Sequence, residues 1–400
     1  MICRRRPRIY KGIWRDVLNG VLFSKCPQDE YVKTFEEKVA KYVGAKYAIA
    51  TCTGRNALEL LLMAMDLKQG DEVILPAYTL KDLIFLIIGM GLKPVLVDIE
   101  PDTFNIDPKL IEEKITEKTR VIVATHLFGL PCNMDRILEI AKKNNLRVIE
   151  DCAHAFGAKY KGKMVGVIGD GGFYSFQLIK LLNTFGGGMV VTNDKKIATY
   201  VRDAVSTYPS LSKCSLLLKI LLSYVEYFIT GSSLFMLIAP FFRYKFTTKL
   251  ISRIYLSFGS HTRIVHFKFS DIQALIGLKQ LSFLRRKDSE RLYKAEILKN
   301  LLKDVKLQNT YDKNVERVMY YFVIKIEKKE DLAKIRKRLS IKGIDAAIKE
   351  EITDDCSLLL GGKYPVANQI YNTAIQIPLY EELTLKQIEA IANAVNKICR

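Results

Sequence analysis

The sequence predicts an α/β protein with a large domain on a mostly parallel sheet and a smaller C-terminal α/β domain. Short apolar runs at residues 47–50, 72–75, 94–99, 121–125 and 147–150 are separated by helix-compatible stretches of crossover length. Runs apolar on both alternating positions are those of strands buried on both faces, as in a parallel sheet. Several of these runs lead into polar or glycine residues, Pro76-Ala77-Tyr78-Thr79, His126, Asp151 and His154. Such residues would collect at the carboxyl ends of the strands, where open α/β sheets hold ligands. With 400 residues, 49% hydrophobic and 26% charged, the chain can bury a sizeable core.

Taken in order, the chain opens on a basic segment, residues 1–29, with Arg4, Arg5, Arg6 and Arg8 near its start. A solvated terminus is expected here, with phosphate or lipid head groups as the alternative contacts. Lys11, Arg15 and Asp16 interrupt any signal-peptide pattern, and the eight cysteines are scattered without a CxxC pair. Reduced thiols, a cytoplasmic location and no metal site are therefore expected. The large domain is placed at residues 30–205. It begins with a helical pattern from Glu30 through Val43, closed by Gly44, and then a strand, a tight turn at Thr53-Gly54 and a second helix. Strand, turn and helix amino terminus is a geometry that holds phosphate, because the first helical amides have no internal partner. Residues 166–191 read as glycine-rich turns on both sides of Lys180.

Residues 206–265 form an apolar and basic excursion. Leucine-rich pieces between residues 211 and 242 are divided by Lys219, Glu226 and Gly231-Ser232-Ser233 into lengths shorter than a membrane span. Burial at a domain or subunit contact is preferred, and a peripheral membrane hairpin bordered by Arg243, Lys245, Lys249 and Arg253 is the alternative. Helical patterning at 266–305 links the domains. The small domain, 306–400, contains a strand near residues 319–326, a lysine-rich helix and a C-terminal helix, with 352–368 as a candidate loop over the active site. The formal charge of +19 suits an anionic ligand, nucleic acid or membrane. No nucleic-acid recognition motif is identifiable, so no specific nucleic acid is expected.

The chemistry concentrates in Asp151, His154, Ser175 and Lys180. A lysine amine can form an imine with an aldehyde cofactor or a carbonyl substrate. An aspartate can stabilise a protonated heteroaromatic nitrogen, and a hydroxyl with helix-terminal amides can hold a phosphate. These are the needs of pyridoxal 5'-phosphate (PLP), although spacing alone leaves the assignment open.

Ordered blocks across residues 35–398 sharpen it: Phe35-Glu36, Gly54 within Thr-Gly-Arg-Asn-Ala-Leu, Asp71 to Pro76, Phe104 to Pro108, His126 to Gly129, Val148 to Ala158, Gly169-Asp170, Tyr174 to Lys180, Gln273-Ala274, Gly277, Gln280-Leu281 and Ile377-Pro378-Leu379. With these blocks the chain resembles the DegT/DnrJ/EryC1/StrS family of sugar aminotransferases. The resemblance implies a fold-type I PLP-dependent transferase acting as a homodimer on glutamate and a nucleotide-linked keto sugar. It implies Lys180 as the cofactor-linking lysine, Asp151 as the carboxylate at the pyridinium nitrogen, His154 beside the ring or its 3'-oxygen, and Ser175, Gly54 and Arg55 at the phosphate. Four positions depart from the family pattern. Arg55 replaces a small hydroxyl residue, Leu80 stands where an aromatic side chain covers the ring, Gly186 replaces an acid, and His266 replaces an asparagine that reaches the neighbouring subunit's phosphate. A PLP-dependent sugar dehydratase is the chemical alternative, disfavoured by Lys180, and a noncatalytic PLP-binding regulator is the alternative of another class.

Overall fold

The computed structural model describes residues 1–10, 12–22, 29–231, 265–309, 312–326 and 331–399. Its main sheet has seven strands, β1 (Tyr47–Thr51), β2 (Glu72–Pro76), β3 (Lys93–Val97), β4 (Thr119–Thr125), β5 (Arg147–Asp151), β6 (Gly171–Ser175) and β7 (Gly188–Thr192). They lie in the order β1-β7-β6-β5-β4-β2-β3. The pairs from β6 to β3 are parallel, and β7 runs against both of its neighbours. Thr125, Asp151 and Phe173 are register partners, so three adjacent strands present their carboxyl ends along one edge.

Strands β6 and β7 occupy the segment that reads as turns in the sequence. Their glycines are there for closeness: a Cβ on Gly172 would lie 2.5 Å from the Gly166 Cα, and one on Gly188 2.5 Å from the Thr53 carbonyl carbon. Glycine normally weakens a strand, but here only glycine lets the backbones touch.

The helices that position the site are α1 (Ile13–Leu22), α2 (Glu30–Val43), α3 (Gly54–Met63), α4 (Lys81–Gly89), α5 (Met134–Lys143), α6 (Lys195–Ser206), α7 (Lys213–Gly231) and α8 (Asp271–Leu301). Helix α8 starts at a capping box between Ser270 and Gln273 and packs along α2 through Gly277, where a Cβ would come within 2.6 Å of the Phe35 ring. A second, antiparallel sheet of β8 (Lys306–Leu307), β9 (Phe322–Lys325), β10 (Ala347–Ile348) and β11 (Ala374–Ile377) has the order β8-β9-β11-β10. Ile324, Ile335, Ile375, Ile388 and Val395 form its core with Leu298 of α8. Within 352–368, Asp354–Asp355 pairs with Tyr78–Thr79, and two helices follow at Ser357–Leu360 and Pro365–Thr373.

Two further sequence expectations change. The amino-terminal arm is not a solvated tail: the Ile2 amide donates to the Gly343 carbonyl at 2.7 Å, Arg4 pairs with Glu351 at 3.0 Å, and the Arg8 amide donates to Leu178 at 3.3 Å. Nor do Lys219 and Glu226 divide the apolar segment, since α7 is one continuous helix of 19 residues. Two charges seven residues apart share a helix face, and this is the face turned inward with Leu216, Ile220 and Ser223. The opposite stripe, Leu218, Leu221, Val225 and Phe228, is exposed. Helix α7 has a mean hydropathy of 1.4 and is long and apolar enough to cross a membrane, with one face already packed on the protein. Residues 232–242 and the basic border at Arg243, Lys245, Lys249 and Arg253 lie outside the described residues.

Candidate active site

The edge of the sheet where β5 ends carries Asp151. Its buried carboxyl is pushed up by desolvation and held down by the Ala153 amide, which donates to Oδ1 at 3.0 Å, and by the charge of Lys180. Lys180 itself is buried at 9% exposure, and burial lowers its ammonium to about 8; Asp151 opposes that shift and Arg8 adds to it. The lysine Nζ lies 4.8 Å from the centre of the Tyr320 ring. That ring stacks on His154 at 4.0 Å with 16° between planes, and Phe128 is stacked with the same imidazole at 6.0 Å and 14°. Desolvation and the neighbouring Lys180 keep His154 neutral, and its buried Nδ1 has no hydrogen-bond partner among the described residues.

The loop that bears Lys180 is held from behind by α8. Gln273 Nε2 donates to the carbonyls of Thr184 at 3.3 Å and Gly186 at 3.2 Å, and one turn-pair further on Gln280 exchanges hydrogen bonds with the backbone of Asn183. Seven residues apart, the two glutamines share one face of the helix. Asn183 in turn donates from Nδ2 to the Arg8 carbonyl at 3.1 Å, so the amino-terminal arm lies along the same loop.

Ser175 ends β6 and faces the start of α3. A Cβ on Gly54 would lie 3.0 Å from Ser175 Cβ and 3.4 Å from its Oγ. Thr53 caps the helix, its side chain accepting from the Asn56 amide at 3.0 Å, and the start of α3 lies beside Ser175. Hydroxyl and helix amino terminus together make a cup for a phosphate.

The remaining sequence-predicted residues are placed differently. Arg55 pairs with Asp82 of α4, Nη1 to Oδ2 at 3.2 Å, so a cation is committed across two helices beside the cup. Leu80 precedes α4 and is 47% exposed, whereas Tyr78 is fully buried and edge-on to Phe128 at 6.4 Å. His266 is hydrogen-bonded to Glu59 of α3 at 2.9 Å and rests against Tyr208 at 4.8 Å. His126 is buried with Glu150 at 3.1 Å, and Glu150 also accepts from the amides of Gly166, Ile168 and Gly169. This buried group ties the glycine loop to β5. Tyr320 and Arg8 join the site only in the structure. In the sequence Tyr320 is legible only as part of the strand near residues 319–326, and nothing local to Arg8 signals that the arm crosses to residue 178.

Comparison with known proteins decides the family. The profile of the DegT/DnrJ/EryC1/StrS aminotransferase family matches residues 15–216 and 249–396. The chain belongs to this family. Among similar DegT/DnrJ/EryC1/StrS proteins, the dTDP-3-amino-3,6-dideoxy-alpha-D-galactopyranose transaminase of Aneurinibacillus thermoaerophilus is 32% identical, with 92% of this chain and 89% of that protein covered. GDP-perosamine synthase of Escherichia coli O157:H7 is 46% identical over 42% of this chain and 46% of its own. The solved aminotransferase from Psychrobacter cryohalolentis superposes with a TM-score of 0.78 at 25% identity, covering 98% of both chains. Aminotransferases of this family are PLP enzymes. The residues present fit that group: a buried lysine with a depressed pKa, a buried carboxylate within electrostatic reach of it, an imidazole nitrogen without a hydrogen-bond partner among the described residues, and the Ser175 hydroxyl packed against the amino terminus of α3 at Gly54.

Proposed function

We propose that the chain moves an amino group from glutamate to the keto group of a nucleotide-linked sugar, in two half-reactions that share one PLP. The observation that carries this reading is the buried Lys180 held near neutrality beside Asp151 at the carboxyl edge of the sheet. The names of the two relatives support the substrate class, and the positive charge of the chain suits a nucleotide diphosphate.

In this reading Ser175 and the first amides of α3 would hold the phosphate, Asp151 would pair with the ring nitrogen, and His154 would contact the ring or its 3'-oxygen. The pairing of Arg55 with Asp82 leaves the phosphate to backbone amides and Ser175. Leu80 supplies an aliphatic contact, and His266 serves the neighbouring subunit's site. PLP supplies an electron-poor ring that takes up the electron pair left when a proton departs from the donor carbon. Lys180 would link the cofactor and, as an amine of pKa about 8, would hold and move the proton of the donor carbon. The stacked rings of Tyr320 and His154 shield the lysine from water.

The partner of the exposed α7 stripe is proposed to be a second copy of the chain. Four large apolar side chains on one helix face favour protein burial, and the cytoplasm is the proposed location. The function is tested by single turnover. Glutamate alone should release one 2-oxoglutarate per site and stop until a keto sugar is added. Release that continues without an acceptor, or none at all from cofactor-saturated protein, would overturn the reading.

A further inference from the structure

The amino-terminal arm brings a second cation to Lys180. Arg8 is 8% exposed, and its backbone is bonded to the lysine loop on both sides of Lys180, through Leu178 at 3.3 Å and Asn183 at 3.1 Å. Its Nη1 is buried and has no hydrogen-bond partner among the described residues. The nearby carboxylates pair with other cations: Glu381 Oε2 accepts from Arg291 Nη2 at 2.9 Å, Glu381 Oε1 lies 3.5 Å from Lys287 Nζ without a hydrogen bond among the described residues, and Asp288 accepts from Arg291 Nη1 at 3.0 Å. A buried guanidinium without a direct ionic partner is costly and is retained where an anion completes it.

We propose that Arg8 binds the α-carboxylate of the amino-acid donor. The inference rests on the aminotransferase reading above. The donor amine has to arrive where the Lys180 amine stands, and in an amino acid the carboxylate follows one carbon away. In a nucleotide-linked sugar the diphosphate is separated from the keto carbon by the ring, so it would lie farther from Lys180. A guanidinium fork matches a carboxylate with two parallel hydrogen bonds. The electrostatics agree, because Arg8 is felt at Lys180, and burial and Arg291 depress Arg8 itself against the opposing charges of Glu381 and Asp288. A carboxylate bound there would relieve both.

The test uses the cofactor-loaded full chain and glutarate, a dicarboxylate without an amine, as the calorimetric probe. Arg8→Met should weaken glutarate binding by roughly tenfold or more. It should raise the KM for glutamate in the first half-reaction while leaving affinity for PLP and for the free nucleoside diphosphates UDP, GDP and dTDP within about twofold. Arg8→Lys, which keeps the charge and loses the fork, should fall between, and it carries the test should Arg8→Met not fold. Unchanged glutarate binding with a lowered melting temperature would make Arg8 a structural cation and overturn the proposal, as would a loss confined to PLP or to the nucleoside diphosphates. Wild-type protein that binds glutarate through Arg8 but never releases 2-oxoglutarate from glutamate would sink the aminotransferase reading instead.

Discussion

Lys180 works between its two protonation states. An exposed lysine is under about 1% neutral at pH 8, whereas burial brings Lys180 to about 8. Cofactor-free protein should therefore capture PLP at a rate that rises about tenfold per pH unit below 8 and levels off above it, followed by stopped-flow absorbance. Asp151 is the neighbour that favours the ammonium, so Asp151→Asn should move this midpoint to lower pH; a midpoint that rises would contradict the electrostatic pairing. Lys180→Ala should cut turnover by roughly 10³-fold while retaining noncovalent cofactor. Hydride reduction of the wild-type holoenzyme should leave the adduct on the Lys180 peptide by mass analysis. The placement of Asp151, His154, Ser175 and Lys180 near the carboxyl edge of the sheet is legible in the sequence because each lies within a few residues of a strand end. Arg8 and Tyr320 are not, because their positions beside the lysine loop come from closures between chain positions more than a hundred residues apart, which no local pattern encodes.

At the scale of elements, the glycines around the lysine loop carry a steric load that differs from position to position. Gly187 has φ +103°, and a Cβ there would sit 2.3 Å from a Phe269 ring carbon. Phe269 stacks on Phe35 at 5.8 Å, so it has little room to retreat. Gly44, the cap of α2, also has positive φ (+78°) but open space around it. Urea unfolding should therefore show Gly187→Ala costing about 2–4 kcal/mol and Gly44→Ala only about 1 kcal/mol. Equal costs would mean that backbone conformation, not the close approach, fixes glycine at 187. The same crowding explains why the sequence of β6 and β7 reads as turns: composition argues against a strand where packing demands one. Helix α7 shows the converse. Lys219 and Glu226 look like interruptions in a linear sequence, but seven-residue spacing puts them on the packed face, where Lys219 approaches the Gly186 backbone.

For the whole molecule, the large sheet with its parallel strands and the C-terminal α/β unit follow from apolar runs and their spacing, and the family blocks follow from contacts now visible. Gln273, Gly277 and Gln280 share one face of α8 because the lysine loop and Phe35 lie against it. The exposed α7 stripe is the feature that a single chain leaves open. Leu221→Ser with Phe228→Ser should shift sedimentation toward the monomer while moving the melting temperature by less than about 3 °C. Flotation of the wild-type protein with anionic vesicles, lost in this variant, would instead assign the stripe to a membrane surface. The most direct measurement supplies glutamate and a panel of nucleotide-linked keto sugars to the PLP-loaded protein and identifies both products. Stoichiometric 2-oxoglutarate and a nucleotide-linked amino sugar, both abolished by Lys180→Ala, are expected. Cofactor bound at Lys180 with no amino sugar from any 3- or 4-keto acceptor in the panel would contradict the account and favour a regulatory role.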